Sequence, residues 1–336
     1  MSENYSNKKK AIVITTIHKL NEFIEFYSKV DGWDLIIVAD VKTDPLWYKD
    51  TNCVFLSLEE QKRISPKLYD LIPFNSYTRK MFGYVYCLQE KYDIIYDTDD
   101  DNINTELLSN KQDQSLIGYS NNKLINAYSF YTDIIYDTKN VLYPRGFPIQ
   151  YANNLYDVVD TKNKQFDVAI IQGLVNGDPD IDAKCRIPLD NCNFNFTKNL
   201  NTNLLLGRGN YCPFNSQNTF WLDSSMFYNL YLPTTVNFRY TDILRGYVSL
   251  HQLHKNDKYL KFTPPTALQK RNSHNLHKDL LDEIEMYDSV LNVVDILVTN
   301  PFYSIRDVYA DLCEKKIVTQ HEILTLNTFL EETNSN

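Results

Sequence analysis

The apolar positions of the first hundred residues fall in compact runs. "AIVITTI" (Ala11 to Ile17) and "DLIIVAD" (Asp34 to Asp40) are short, β-branched stretches, and the turn signal "DGW" precedes the second. Between them Leu20, Phe23, Ile24 and Tyr27 recur at helical spacing. Buried parallel strands read as continuous apolar runs, so the opening predicts β-α-β. "CVFLS" predicts a third strand, and "LEEQKRI" a helix capped by Ser57 with Glu60 three residues on. "PFNSYTRKMFGYVYCLQE" sets Tyr77, Met81, Tyr84 or Val85, and Leu88 on one helical stripe, which leaves Arg79 opposite it if the helix starts near Asn75. "YDIIYD" then predicts a fourth strand. Beyond about Asn104 the pattern loosens, with turns at "YPRGFP" and "NGDPD" and strand candidates at "FDVAIIQ" and "NLLLG", and "QNTFW" ends the region. "TDILRGYVSLHQLH" predicts a helix capped by Thr241, and the tail from Lys278 predicts two or three amphipathic helices. The fold class is α/β.

Composition narrows the chemistry. The 336 residues carry a net charge of −9, which disfavours wholesale binding to nucleic acid. The six cysteines show no CxxC pairing and read as reduced thiols of an intracellular protein. The N-terminal apolar run is too short for a membrane span, so no transmembrane segment and a cytoplasmic setting are expected. With nine glycines and neither GxGxxG nor GxxxxGK[ST], dinucleotide-binding and P-loop readings weaken.

The fourth strand ends in "YDTDDDN", which crowds Asp97, Asp99, Asp100 and Asp101 into five positions. In open α/β sheets ligands gather at the carboxyl ends of strands. Along an extended segment Asp99 and Asp101 share a side while Asp100 points away, and two converging carboxylates suit Mg²⁺ or Mn²⁺ completed by water and phosphates. Arg79 and Lys80, at the start of the preceding helix, are candidate anion contacts. The alternative for the aspartates is a solvated acidic turn.

"PFNSYTRKMFGYVYCL" followed by "IIYDTDDDN" resembles the STELLO-type glycosyltransferase-like family. The echoes continue in order through "VADVKT", "YPRGFP", "NGDPDIDAKCR", "YCPFNSQNT", "PTTVNFRYTDILRGY" and "QKRNSHNLHKD". The resemblance implies a GT-A-like, Rossmann-type mixed sheet flanked by helices, with a helical C-terminal tail. It implies a nucleotide-sugar donor, a UDP-sugar by analogy, and a glycan or other hydroxyl acceptor. Metal ligands would be Asp99, Asp101 and His274, with Asp40, Lys42, Asn75, Arg79, Lys80, Asp99 and Asp100 toward the donor. Asp242, at the start of its helix, would be the base of an inverting transfer. Asp178, Asp180, Asp182 and Arg245 would face the acceptor, although the three aspartates also fit a plain turn. The expected organisation is a disordered segment 1–10, a nucleotide-sugar-binding half 11–150, an acceptor-binding half 151–277 and a helical extension 278–336. Two other readings stay open: a catalytically silent sugar-nucleotide-binding scaffold, and a haloacid-dehalogenase-type phosphatase with Asp97 as nucleophile. Unlike many members of the family, the chain is expected to lack an N-terminal membrane anchor.

Overall fold

The computed structural model describes residues 5–108, 114–135, 141–161, 164–189, 194–270 and 275–333. Among them are eleven strands: β1 (Lys10–Thr15), β2 (Asp34–Val38), β3 (Val54–Leu56), β4 (Ile94–Thr98), β5 (Asn102–Asn104), β6 (Gln114–Tyr119), β7 (Asp157–Asp160), β8 (Val168–Asn176), β9 (Thr202–Leu206), β10 (Asn218–Trp221) and β11 (Tyr259–Gln269). The helices are α1 (Glu22–Tyr27), α2 (Leu58–Ile64), α3 (Pro66–Leu71), α4 (Met81–Gln89), α5 (Ala127–Tyr131), α6 (Ala183–Leu189), α7 (Phe238–Lys255), α8 (Leu276–Asp282), α9 (Ile284–Thr299), α10 (Ile305–Glu314) and α11 (Gln320–Glu332).

One mixed sheet runs in the order β3-β2-β1-β4-β10-β8-β11-β9-β6-β7, with β5 attached to β11. The first four strands are parallel, and β10 lies antiparallel between β4 and β8. The apolar runs are buried on both faces for this reason. Ile12, Ile14, Leu35 and Ile37 pack on one side with Tyr27, Tyr96 and Phe220. Ala11, Val13, Ile36 and Val38 face the opposite layer with α4 and α7. The expected α/β architecture of a mixed sheet flanked by helices, with a helical C-terminal part, is the one observed.

Several elements begin elsewhere than the pattern predicts. The segment expected as one helix from Asn75 splits: Asn75 has a φ of 51°, a 3-10 turn spans Tyr77–Lys80, and α4 starts at Met81. The cap of helix α7 lies four residues before the expected Thr241, because the Asn237 side chain accepts from the Arg239 amide. Thr241 instead donates its hydroxyl to the Pro233 carbonyl. Ser57 caps α2 as expected, accepting from the Glu60 amide.

Candidate functional site

A cavity of about 380 Å³ opens where β1, β2 and β4 end, β10 begins, and β8 and β11 run out. That volume lies in the range of small-molecule sites. One wall comes from the first half of the chain: Thr15 at the end of β1, Thr16 and His18 after it, Asp40 and Lys42 after β2, Asn75 to Tyr77 before α4, and Asp99 to Asp101 after β4. The facing wall carries Arg145, Asp180, Gln217, Arg239, Asp242 and Gln269.

The crowded aspartates divide by depth. Asp97 is fully buried below the cavity, between Lys80 Nζ at 2.6 Å and Arg245 at 2.8 Å, and it also accepts from the Tyr84 hydroxyl at 2.9 Å. A carboxylate so enclosed, off the cavity lining, has no room to attack a substrate, and the phosphatase reading fails on it. Lys80 additionally donates to the Thr98 carbonyl at 2.6 Å and stands 3.4 Å from Asp99. Asp99 accepts from the Tyr77 hydroxyl at 3.0 Å. Desolvation pushes its carboxyl up to about 7, opposed by Lys80 and reinforced by Asp101 and Asp97. Asp100, expected to point away, also lines the cavity; it holds the Thr16 hydroxyl and sits 2.9 Å from His18 Nδ1. Asp101 accepts from Gln269 Nε2 at 2.9 Å.

On the facing wall Arg145 ties two acids together. Its Nε donates to Asp180 at 2.7 Å, one terminal nitrogen donates to both Asp242 oxygens at 3.0 Å, and the other donates to the Arg239 carbonyl. Arg239 in turn pairs with the buried Glu283. Asp242 lies in the second turn of α7, so its setting is the Arg145 clamp and not a helix end.

The remaining candidates separate cleanly. Asp40 lines the cavity and fixes its rim, accepting from the Val41 amide at 2.7 Å and the Ser76 amide at 3.0 Å. Lys42 and Asn75 line it as well. Arg79 does not. It is fully buried, donates to Gln61 Oε1 and the Ile72 carbonyl, and sits among the rings of Tyr69, Phe74 and Phe82. The expectation of an outward-facing Arg79 is corrected, because three separate segments cage it. Lys80 and Arg245 lie beneath the cavity as the counter-charges of Asp97. Asp178 pairs with Arg186, and Asp182 is buried, accepting from the Gly146 amide at 2.9 Å. Burial, reinforced by nearby Glu283, holds the Asp182 carboxyl well above the usual carboxylate range. His274 lies outside the described residues.

Sequence reasoning passed over His18, Tyr77, Arg145, Gln217, Arg239 and Gln269. Arg145 and Arg239 sit inside segments already singled out, "YPRGFP" and "NFRYTD", and two arginines among turn residues were the available signal. Gln217 opens an antiparallel strand, so a search of strand carboxyl ends passes it by.

The lining holds six aspartates against Lys42, Arg145 and Arg239, and both arginines are already paired within the protein. An anionic ligand would therefore meet net negative charge unless a cation came with it. Among the described residues no three of His, Cys, Asp and Glu converge on a common point.

No family model matches the chain. The probable glycosyltransferases STELLO1 and STELLO2 of Arabidopsis thaliana are 28% and 26% identical to it over 288 and 287 residues, which is 79% of this chain and 36% of each relative. The match thus spans little more than a third of the length of these curated relatives. Among solved structures, glucosyl-3-phosphoglycerate synthase from Mycobacterium tuberculosis in complex with phosphoglyceric acid aligns with a TM-score of 0.37 at 11% identity, covering 88% of this chain and 81% of that one. A mycobacterial protein aligns with a TM-score of 0.41 at 10% identity over 86% and 75%. Among the described residues no helix is long and apolar enough to cross a membrane.

Proposed function

The chain is a relative of the STELLO-type glycosyltransferase-like proteins, and on that premise we propose that it is a metal-dependent glycosyltransferase with a GT-A-like fold. It takes a nucleotide sugar, a UDP-sugar by analogy, and passes the sugar to a hydroxyl of a glycan or similar acceptor. The observation that carries this reading is the shared cavity, with Asp99, Asp100 and Asp101 on one wall and the Arg145-clamped pair Asp180 and Asp242 on the other. The half 11–150 supplies the donor wall, and the half 151–277 most of the acceptor wall.

Asp99 and Asp101 would hold Mn²⁺ or Mg²⁺, whose charge offsets that developing on the departing diphosphate. Lys80 and Tyr77 orient Asp99 from below, so the carboxylate meets its ligand without having to reorganise. Asp40 shapes the rim on which the nucleoside rests, and Lys42 offers a cation at its edge. On the facing wall Asp180 accepts acceptor hydroxyls. Asp242 takes the proton of the reacting hydroxyl as its oxygen bonds to the anomeric carbon and the bond to the diphosphate breaks, which inverts that centre. Arg145 fixes the orientation of Asp242 and disperses its charge.

The same clamp favours a second reading. A carboxylate whose two oxygens already accept from a guanidinium has less capacity to accept a proton, as suits a binding protein without catalysis. Turnover separates the two. A thermal-shift and hydrolysis screen of nucleotide sugars with Mn²⁺ or Mg²⁺ should find one donor that stabilises the native chain only with metal, and Asp101→Ala should abolish the shift. No metal-dependent shift with any nucleotide would sink both readings. Asp242→Asn should preserve the shift and slow transfer by about a hundredfold or more; unchanged transfer would remove Asp242 as the base.

A further inference from the structure

Helix α9 turns one face into the core through Met286, Val290, Val293 and Leu297, and along the edge of that face runs a line of exposed apolar residues. Ile284, Leu291 and Val298 follow one another at intervals of seven and are each 37–46% exposed. At 100° per residue they fall within about 40° of arc, and Asp288 and Asp295 run alongside them at the same interval. Leu281 on α8 and Phe302 just beyond α9 are exposed as well, at 67% and 80%. An exposed apolar position repeated every seven residues is one line of the seam along which helices pack on one another.

Charge identifies the partner. From Asp279 to Ile305 the sequence contains no Lys, Arg or His, while Asp282, Glu285, Asp288 and Asp295 all lie outside the buried core. Among the described residues neither Asp288 nor Asp295 forms an ion pair with a cationic side chain. A second copy of the chain fits poorly. A parallel pair sets each aspartate beside its own counterpart, and an antiparallel pair centred between Leu291 and Asn292 sets Asp288 against Asp295. An anionic lipid surface is repelled by the same residues. We infer that the outer face of α9 is a docking surface for a cationic amphipathic helix of another protein, with its apolar residues on Ile284, Leu291 and Val298 and its Lys or Arg side chains on Asp288 and Asp295. This surface is separate from the cavity and does not depend on the function assigned to it.

The test uses the full chain and two fluorescein-labelled synthetic helices, one with a leucine seam flanked by lysines, the other with glutamates replacing the lysines. The lysine helix should saturate in the micromolar range and the glutamate helix bind at least about tenfold more weakly. Raising salt from about 0.05 to about 0.5 M should weaken the lysine helix severalfold. The double variant Asp288→Lys/Asp295→Lys should reverse the preference, and Leu291→Ser should weaken both helices, with circular dichroism and melting temperature unchanged in each variant. Equal binding of the two helices, or binding indifferent to the aspartate pair, would overturn the inference. So would a concentration-dependent dimer in sedimentation that Leu291→Lys dissociates, since the face would then belong to a second copy.

Discussion

At the scale of single residues, the acidic cluster is tolerable because its members do not share one environment. Asp97 is neutralised below the cavity by Lys80 and Arg245, leaving Asp99 to Asp101 as the part of the charge that faces the cavity. Replacing Lys80 by Met removes one of two counter-charges from a fully buried carboxylate. It should cost about 3–5 kcal/mol in urea unfolding, and a variant as stable as the native chain would show that Arg245 alone suffices. Asp99 sets a pH dependence of a different kind. Its carboxyl is pushed up to about 7, so below that pH a divalent ion must displace a proton to bind. Calorimetric Mn²⁺ affinity should fall about tenfold per pH unit between 7 and 5, and Asp99→Asn should remove both the slope and most of the affinity. The four aspartates were visible in the sequence, and so was a divalent cation as a partner for two of them. The division of labour was not, because Arg245 lies 148 positions away and reaches Asp97 only across the folded sheet.

At the scale of elements, the parallel strands were legible because both faces are apolar, whereas β11 was not. It carries Pro264 and Pro265 at its centre, residues that argue against an interior strand, yet it lies between β8 and β9. The register shifts on either side of Pro265 are how the ladder accommodates them. Helix α7 shows a second kind of illegibility. Its sequence marks Gly246 only as a weak point in a helix, but a methyl group there would run into the backbone carbonyl of Phe214. That close approach brings Arg245 to the Asn215 carbonyl and the Ser216 hydroxyl. Gly246→Ala should therefore lower stability despite its better helix propensity, as a drop in urea midpoint at unchanged far-ultraviolet dichroism. Farther along, Glu322 in α11 accepts the amides of Thr234 and Thr235 and so holds the loop that leads into α7. Glu322→Ala strands both amides and should cost about 2–3 kcal/mol, measurable in the same way.

At the scale of the whole molecule, the sheet is continuous and the cavity belongs to neither half alone. Asp101 meets Gln269 across it, and β5 pairs with the end of β11. Acid should loosen the assembly through two histidines that no functional argument uses. Burial pushes His251 down to about 4 and His254 to about 3 from an ordinary value of 6.5. Folded values below the unfolded one mean that the folded state prefers neutral rings. Their stabilisation is complete above pH 6.5 and is lost as the pH falls through 4 and 3. The melting temperature should accordingly drop on acidification from 7 to 4, and His254→Leu should flatten that drop; an identical profile in the variant would place the acid sensitivity elsewhere.

The two counter-charges of Asp97 also have a history in time. Lys80 precedes it along the chain, while Arg245 follows 148 positions later. At a synthesis rate of about 5–20 residues per second, that separation is roughly 7–30 s. Through that interval a nascent β4 can be balanced from one side only, and burying its carboxylate would cost several kcal/mol. Ribosome-stalled chains that expose residues only up to about 240 should remain open to protease around β4, and chains that extend past α7 should not. Closure of the first half around Asp97 is therefore expected only once the second half has arrived.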